Sequence, residues 1–212
     1  MIIALVAAAA IGTATPQPLR EVVYHVSYTR RSTTTTAAAA SDHGTVTVDV
    51  MAVSHDALGL KVTERWTKNP TALVALGTVL PTGNLVFAPG AMSDVTDQLL
   101  PYFAPRFVTQ QPMQPGVAWN VKDNRKSLTA TTSYSIAAVQ GTSVTINVKQ
   151  IITISDATHS QISSRGSVVY EPHLLVPLSG DFTKHLSVRI SGAQQTVTLS
   201  LHFARASDTR EP

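Results

Sequence analysis

Cysteine is absent from all 212 residues. That excludes disulfides, thiolate metal sites, cysteine nucleophiles and lipid attachment through a cysteine. A chain of this length can still bury a sizeable core without cross-links. Charge is also scarce: 14% of residues are charged and the formal net charge is +3. The lysines and arginines are scattered, so they do not build the concentrated basic face that phosphate neutralisation requires. Nucleic acid is therefore not an expected partner. A pI of ≈ 9.3 would tolerate anionic neighbours such as lipid headgroups, but a few surplus arginines without a role explain it as well. Surface polarity comes from serine and threonine instead, as in TTTT (33–36) and SLTATTSYS (127–135). Catalytic signatures are missing too. There is no G-x-S-x-G elbow, no phosphate-cradling glycine loop and no H-E-x-x-H, so the expectation is a non-enzyme without a cofactor.

What the chain does have begins with Met1 to Ala14, MIIALVAAAAIGTA, an apolar run ending in small residues. It is shorter than the roughly 20 residues a membrane-spanning helix needs. It therefore reads as a secretory signal core, although no Lys or Arg precedes Arg20 to form a basic n-region. The expected mature chain is exported, periplasmic or extracellular, with no transmembrane span. One β-rich domain is expected over 18–208.

Period-two alternation dominates that domain. Val22, Tyr24, Val26 and Tyr28 share one strand face. Val46, Val48 and Val50 share another, as do Leu58, Leu60, Val62 and Trp66. Val144, Ile146, Val148, Ile152 and Ile154 hold a single phase, and Val197, Leu199, Leu201 and Phe203 close the series. Such strands predict an antiparallel sheet with one buried and one wet face. Two segments break the alternation. Residues 31–42, RSTTTTAAAASD, have no period and read as a flexible loop. Residues 93–104 read as a helix: Ser93 is a good N-cap, Asp94 and Asp97 suit the first turn, and Val95, Leu99, Tyr102 and Phe103 form an apolar stripe. Pro101 falls inside that stripe and should kink or end the helix. The fold class predicted is mainly β, a long curved antiparallel sheet, half-barrel-like, with one short helix on its concave face.

Polar residues out of place are the next signal. Glu64 occupies the apolar phase between Val62 and Trp66, where an unpaired carboxylate is costly to bury. Either the inner face turns wet near its end, or Glu64 pairs with a cation such as Arg106 or Lys122. Gln150 lies in phase with Ile146, Val148 and Ile152 and requires a partner or water. Ser54, His55 and Asp56 are consecutive, but neighbours on a strand point to opposite faces, so they read as a turn rather than a triad. The seven histidines show no paired metal-ligand spacing and read as solvated side chains, so no metal site is expected.

The aromatics are few, and their positions are suggestive. Trp66, Trp119 and Tyr134 lie on strands, while Tyr102, Phe103 and Phe107 surround the helix. Two readings stand together: an ordinary core in which the helix plugs an open sheet, or a cavity for an apolar ligand lined by these residues and Leu99.

The layout of long strands with one amphipathic helix on the concave side, in an exported chain, resembles the periplasmic lipoprotein-carrier half-barrels. The segment GSVVYEPHLLVPLSGDF (166–182) followed by QTVTLSLHF (195–203) also looks like uncharacterised exported bacterial β-rich proteins. The carrier resemblance implies binding of acyl chains in a groove under the helix, which would be lined by Trp66, Leu99, Tyr102, Phe103, Phe107, Trp119 and Tyr134. The function expected is thus non-enzymatic binding of a lipid or other amphipathic molecule in the cell envelope. The alternative is an interaction or structural module that contacts another envelope protein through strand edges or the 31–42 loop. An enzyme acting on envelope polymers is a third reading.

Overall fold

The computed structural model describes residues 18–33, 39–54, 57–69, 71–79, 85–87, 93–103, 112–125, 128–154, 160–174, 176–190 and 193–210. The apolar run at 1–14 and Phe107 lie outside the described residues. So do Arg106, His55, Asp56 and the centre of the 31–42 stretch.

Among the described residues, eleven antiparallel strands form one open, curled sheet. In chain order they are β1 (Arg20–Ser32), β2 (Ala40–Ser54), β3 (Ala57–Trp66), β4 (Leu73–Val79), β5 (Leu85–Phe87), β6 (Ala118–Arg125), β7 (Leu128–Gln140), β8 (Ser143–Ile154), β9 (Ser160–Glu171), β10 (Val176–Ile190) and β11 (Ala193–Arg210). The order across the sheet is β5-β4-β3-β2-β1-β11-β10-β9-β8-β7-β6. Two meanders therefore run outward-in: the first from the centre to the β5 edge, the second from the β6 edge back to the centre. The chain crosses between the edges through the helical segment. The seam between the meanders is the β1–β11 pair, whose register runs from Arg20 opposite Arg210 to Ser32 opposite Val197.

Several boundaries differ from the sequence reading. β1 continues through Ser32 and β2 starts at Ala40, so paired strand enters both ends of the supposed 31–42 loop. Thr suits a pleated strand, and Thr33 N–H donates to the Thr196 carbonyl at 3.0 Å. β11 likewise outruns the expected domain end at 208, because Arg210 pairs with Arg20.

The alternation places Val22, Tyr24, Val26, Val46, Val48, Leu60, Val62, Val144, Ile146, Val148, Leu199, Leu201 and Phe203 in one core. Leu58 keeps the inward phase but is exposed near the end of its strand. On β9 and β10, two inward positions must be glycine. A Cβ on Gly180 would stand 2.4 Å from the Phe203 ring, and one on Gly166 would stand 2.0 Å from the Asp181 carbonyl oxygen. These close approaches mark where β9 and β10 curl around the aromatic core.

Candidate ligand-binding site

The helix forms where the cap chemistry predicts. α1 spans Asp94–Leu99 and continues as a 3₁₀ turn over Leu100–Phe103. Pro101 cannot donate to the α ladder, and the tighter turn accommodates it. Ser93 Oγ accepts from Thr96 N–H at 3.3 Å. The Ser93 N–H donates to Glu64 Oε1 at 3.0 Å, and Trp66 Nε1–H donates to Glu64 Oε2 at 2.9 Å. Glu64 is 1% exposed. It is therefore neither at a wet sheet edge nor, among the described residues, ion-paired. It supplies from a distant strand the acceptor that a glutamate three residues into the helix supplies in an ordinary capping box. A second tether is the ion pair of Lys184 with Asp94. Asp97, one turn on, has its carboxyl raised above the usual range by desolvation, opposed by Lys184 and reinforced by Asp94 and Glu64.

The stripe Val95, Leu99, Tyr102 and Phe103 is buried against the sheet. Phe103 meets the Tyr24 ring edge-on at 6.1 Å, Tyr24 meets Phe203 at 5.9 Å, and Tyr102 lies 6.5 Å from Phe182. Trp66 packs on Tyr28 at 5.3 Å, and Trp119 stacks on Tyr134 at 5.3 Å. Of the residues singled out from sequence, Leu99, Tyr102, Phe103, Trp66 and Tyr134 are thus buried in one core, and Trp119 is half-buried at its rim. Burial pushes the Tyr134 hydroxyl up to about 12 and raises Tyr102 and Tyr24 as well, so all three stay neutral hydrogen-bonding groups. The Tyr24 hydroxyl donates to the Pro177 carbonyl at 2.9 Å.

Beside this aromatic core runs a row the sequence did not assemble. Thr132 pairs with Gln150, Gln150 with Ser164, and Ser164 with Lys184, on β7, β8, β9 and β10 in turn. All four share the inward phase. Gln150 Nε2 donates to Thr132 Oγ1 at 3.1 Å, which answers the question the lone inward glutamine raised. Ser164 is 3% exposed, and its hydroxyl has no hydrogen-bond partner among the described residues. The next row outward is aliphatic: Ala130, Ile152, Ile162, Leu186 and Val197 are successive cross-strand neighbours, and all five are half-buried. The signal available in the sequence was one polar residue in the apolar phase of four consecutive strands.

The outer face is polar. A concavity of about 660 Å³ there includes Lys149, Arg165, Asp181 and His202 in its lining. His202 Nδ1 lies 2.7 Å from Asp181 Oδ1. The described histidines, at 25, 43, 173, 185 and 202, are all exposed. Among the described residues no group of His, Asp and Glu could hold a metal ion, and no helix is long and apolar enough to cross a membrane.

No family model matches the chain, and no curated protein does. Some solved structures resemble it at low similarity. One, on lipid–protein interactions in lipovitellin, has a TM-score of 0.48 at 10% identity and covers 92% of this chain and 26% of that one. The chain thus spans about a quarter of lipovitellin's length. Another, Rv2717c from M. tuberculosis, has a TM-score of 0.38 at 9% identity, over 87% of this chain and 91% of that one.

Proposed function

We propose that the chain is a non-enzymatic binding protein for a hydrophobic or amphipathic ligand, a lipid or acyl chain, held on the concave face beside the helix. The reading includes export to the periplasm or beyond. The observation that carries it is the half-buried strip of Ala130, Ile152, Ile162, Leu186 and Val197, which extends the apolar inner face beyond the polar row. Each ligand methylene buried there gains about 0.8 kcal/mol. Losses of ligand and side-chain freedom offset much of that, so a micromolar constant, roughly −8 kcal/mol, is expected.

Titration with a fluorescent fatty-acid probe tests the reading. Wild-type protein should bind saturably in the micromolar range. Ile162→Asp, which sets a charge on the strip, should weaken binding at least about tenfold while circular dichroism is unchanged. A wild type that binds no probe rejects the proposal.

A second reading, an interaction module, is favoured by Val74, Leu76 and Val86, which stand exposed on strands β4 and β5 at one edge of the sheet. It predicts that a partner protein, and no acyl probe, is retained.

A further inference from the structure

The polar row lies on a mostly apolar inner face, and its chemistry is specific. Lys184 has three ammonium protons and directs one at Asp94, and its side chain is only 12% exposed. Directly across the strand pair stands Ser164, whose buried hydroxyl has no partner among the described residues. Cross-strand partners bring their Cβ atoms within about 5 Å, so one acceptor group can reach both side chains. A buried hydroxyl left unpaired is costly, and its persistence beside a cation points to a ligand atom that accepts from both. The adjoining row, Ile152, Ile162, Leu186 and Val197, is apolar and half-buried.

Resting on the reading above, we propose that Lys184 and Ser164 hold the carboxylate of a long-chain fatty acid whose hydrocarbon tail lies along Ile152, Ile162, Leu186 and Val197. Thr132 and Gln150, already bonded to each other, hold the row's geometry. One negative charge suits the site better than two. Asp94 already offsets Lys184, and the carboxyls of Asp97 and Glu64 lie close by, so a second negative charge on the ligand would meet no cation to answer it.

Calorimetric titration with oleate, oleyl alcohol and acetate tests the assignment. Wild-type protein should bind oleate at least about tenfold more tightly than the alcohol of the same chain length, the increment expected of a charge-assisted hydrogen-bond pair. Acetate should not bind. Ser164→Ala removes a hydroxyl that has no partner among the described residues, so it should leave the fold at least as stable while cutting the oleate preference several-fold. Lys184→Met with Asp94→Asn should abolish the preference without leaving either charge unpaired. Equal binding of oleate and the alcohol overturns the headgroup assignment but leaves the apolar-ligand reading intact. An oleate preference that survives both substitutions also overturns the assignment, by placing the carboxylate elsewhere. Failure of both ligands to bind overturns assignment and reading together.

Discussion

Glu64 accepts one hydrogen bond from the indole of Trp66 and one from the N–H that starts the helix, while almost wholly buried. Glu64→Ala orphans both donors, and each unsatisfied buried group costs about 1–3 kcal/mol. Glu64→Gln keeps one acceptor oxygen, so it should lose roughly half as much. Chemical denaturation followed by tryptophan fluorescence gives both values, and equal losses would show that the charge rather than the acceptor count matters. Gly180→Ala should cost about 1–3 kcal/mol, because the new methyl collides with a fully buried Phe203 ring that has nowhere to move. At this scale the sequence was half legible. Alternation marked Glu64 as inward and left open either a wet sheet end or a cationic partner. The partner is a backbone N–H 29 positions away, and strand phase carries no information on which distant segment lies above a face. Gly180 gave no signal beyond being a glycine in a strand, since the Phe203 contact depends on register.

The elements themselves were more legible, because period and cap chemistry are local. The helix began at its expected cap, and Pro101 turned it into a 3₁₀ turn. The polar row was not legible, although Gln150 stood out. Its four members meet only through three strand registers, which turns and bulges set. Leu99→Ala empties a fully buried position on α1 and should cost about 2–5 kcal/mol. A loss below about 1 kcal/mol in a denaturation titration would mean that the helix is a loose lid. The β1–β11 seam carries its own test. Arg20 grips Asp208 through two hydrogen bonds, at 2.7 and 2.6 Å, and Arg205 adds a third at 3.2 Å. The Arg20 hydrogen bonds hold the Asp208 carboxyl below its usual range. A carboxyl depressed in the folded state contributes stability that is present above its unfolded value of about 3.9 and is lost as pH falls through the folded value. Thermal midpoints measured from pH 6 downward should therefore fall less steeply for Asp208→Asn than for the wild type. Matching slopes would show that the clamp does not stabilise the seam.

At the scale of the whole molecule, two meanders join at a central seam and curl around an aromatic core that the helix fills. The apolar inner face then continues past that core as a polar row and an aliphatic strip. Composition and alternation point to the β architecture and to the helix at 94–103. They do not reveal the strip, whose members become neighbours only once β7 to β11 are aligned. The function proposed for this chain turns on ligand binding at that strip. Native mass spectrometry of the purified chain, as isolated and after incubation with oleate, tests it most directly. A population heavier than the bare chain by one acyl ligand is expected, and it should be lost when Ile162 is replaced by Asp. A wild-type chain that shows only its bare mass in both samples would contradict it.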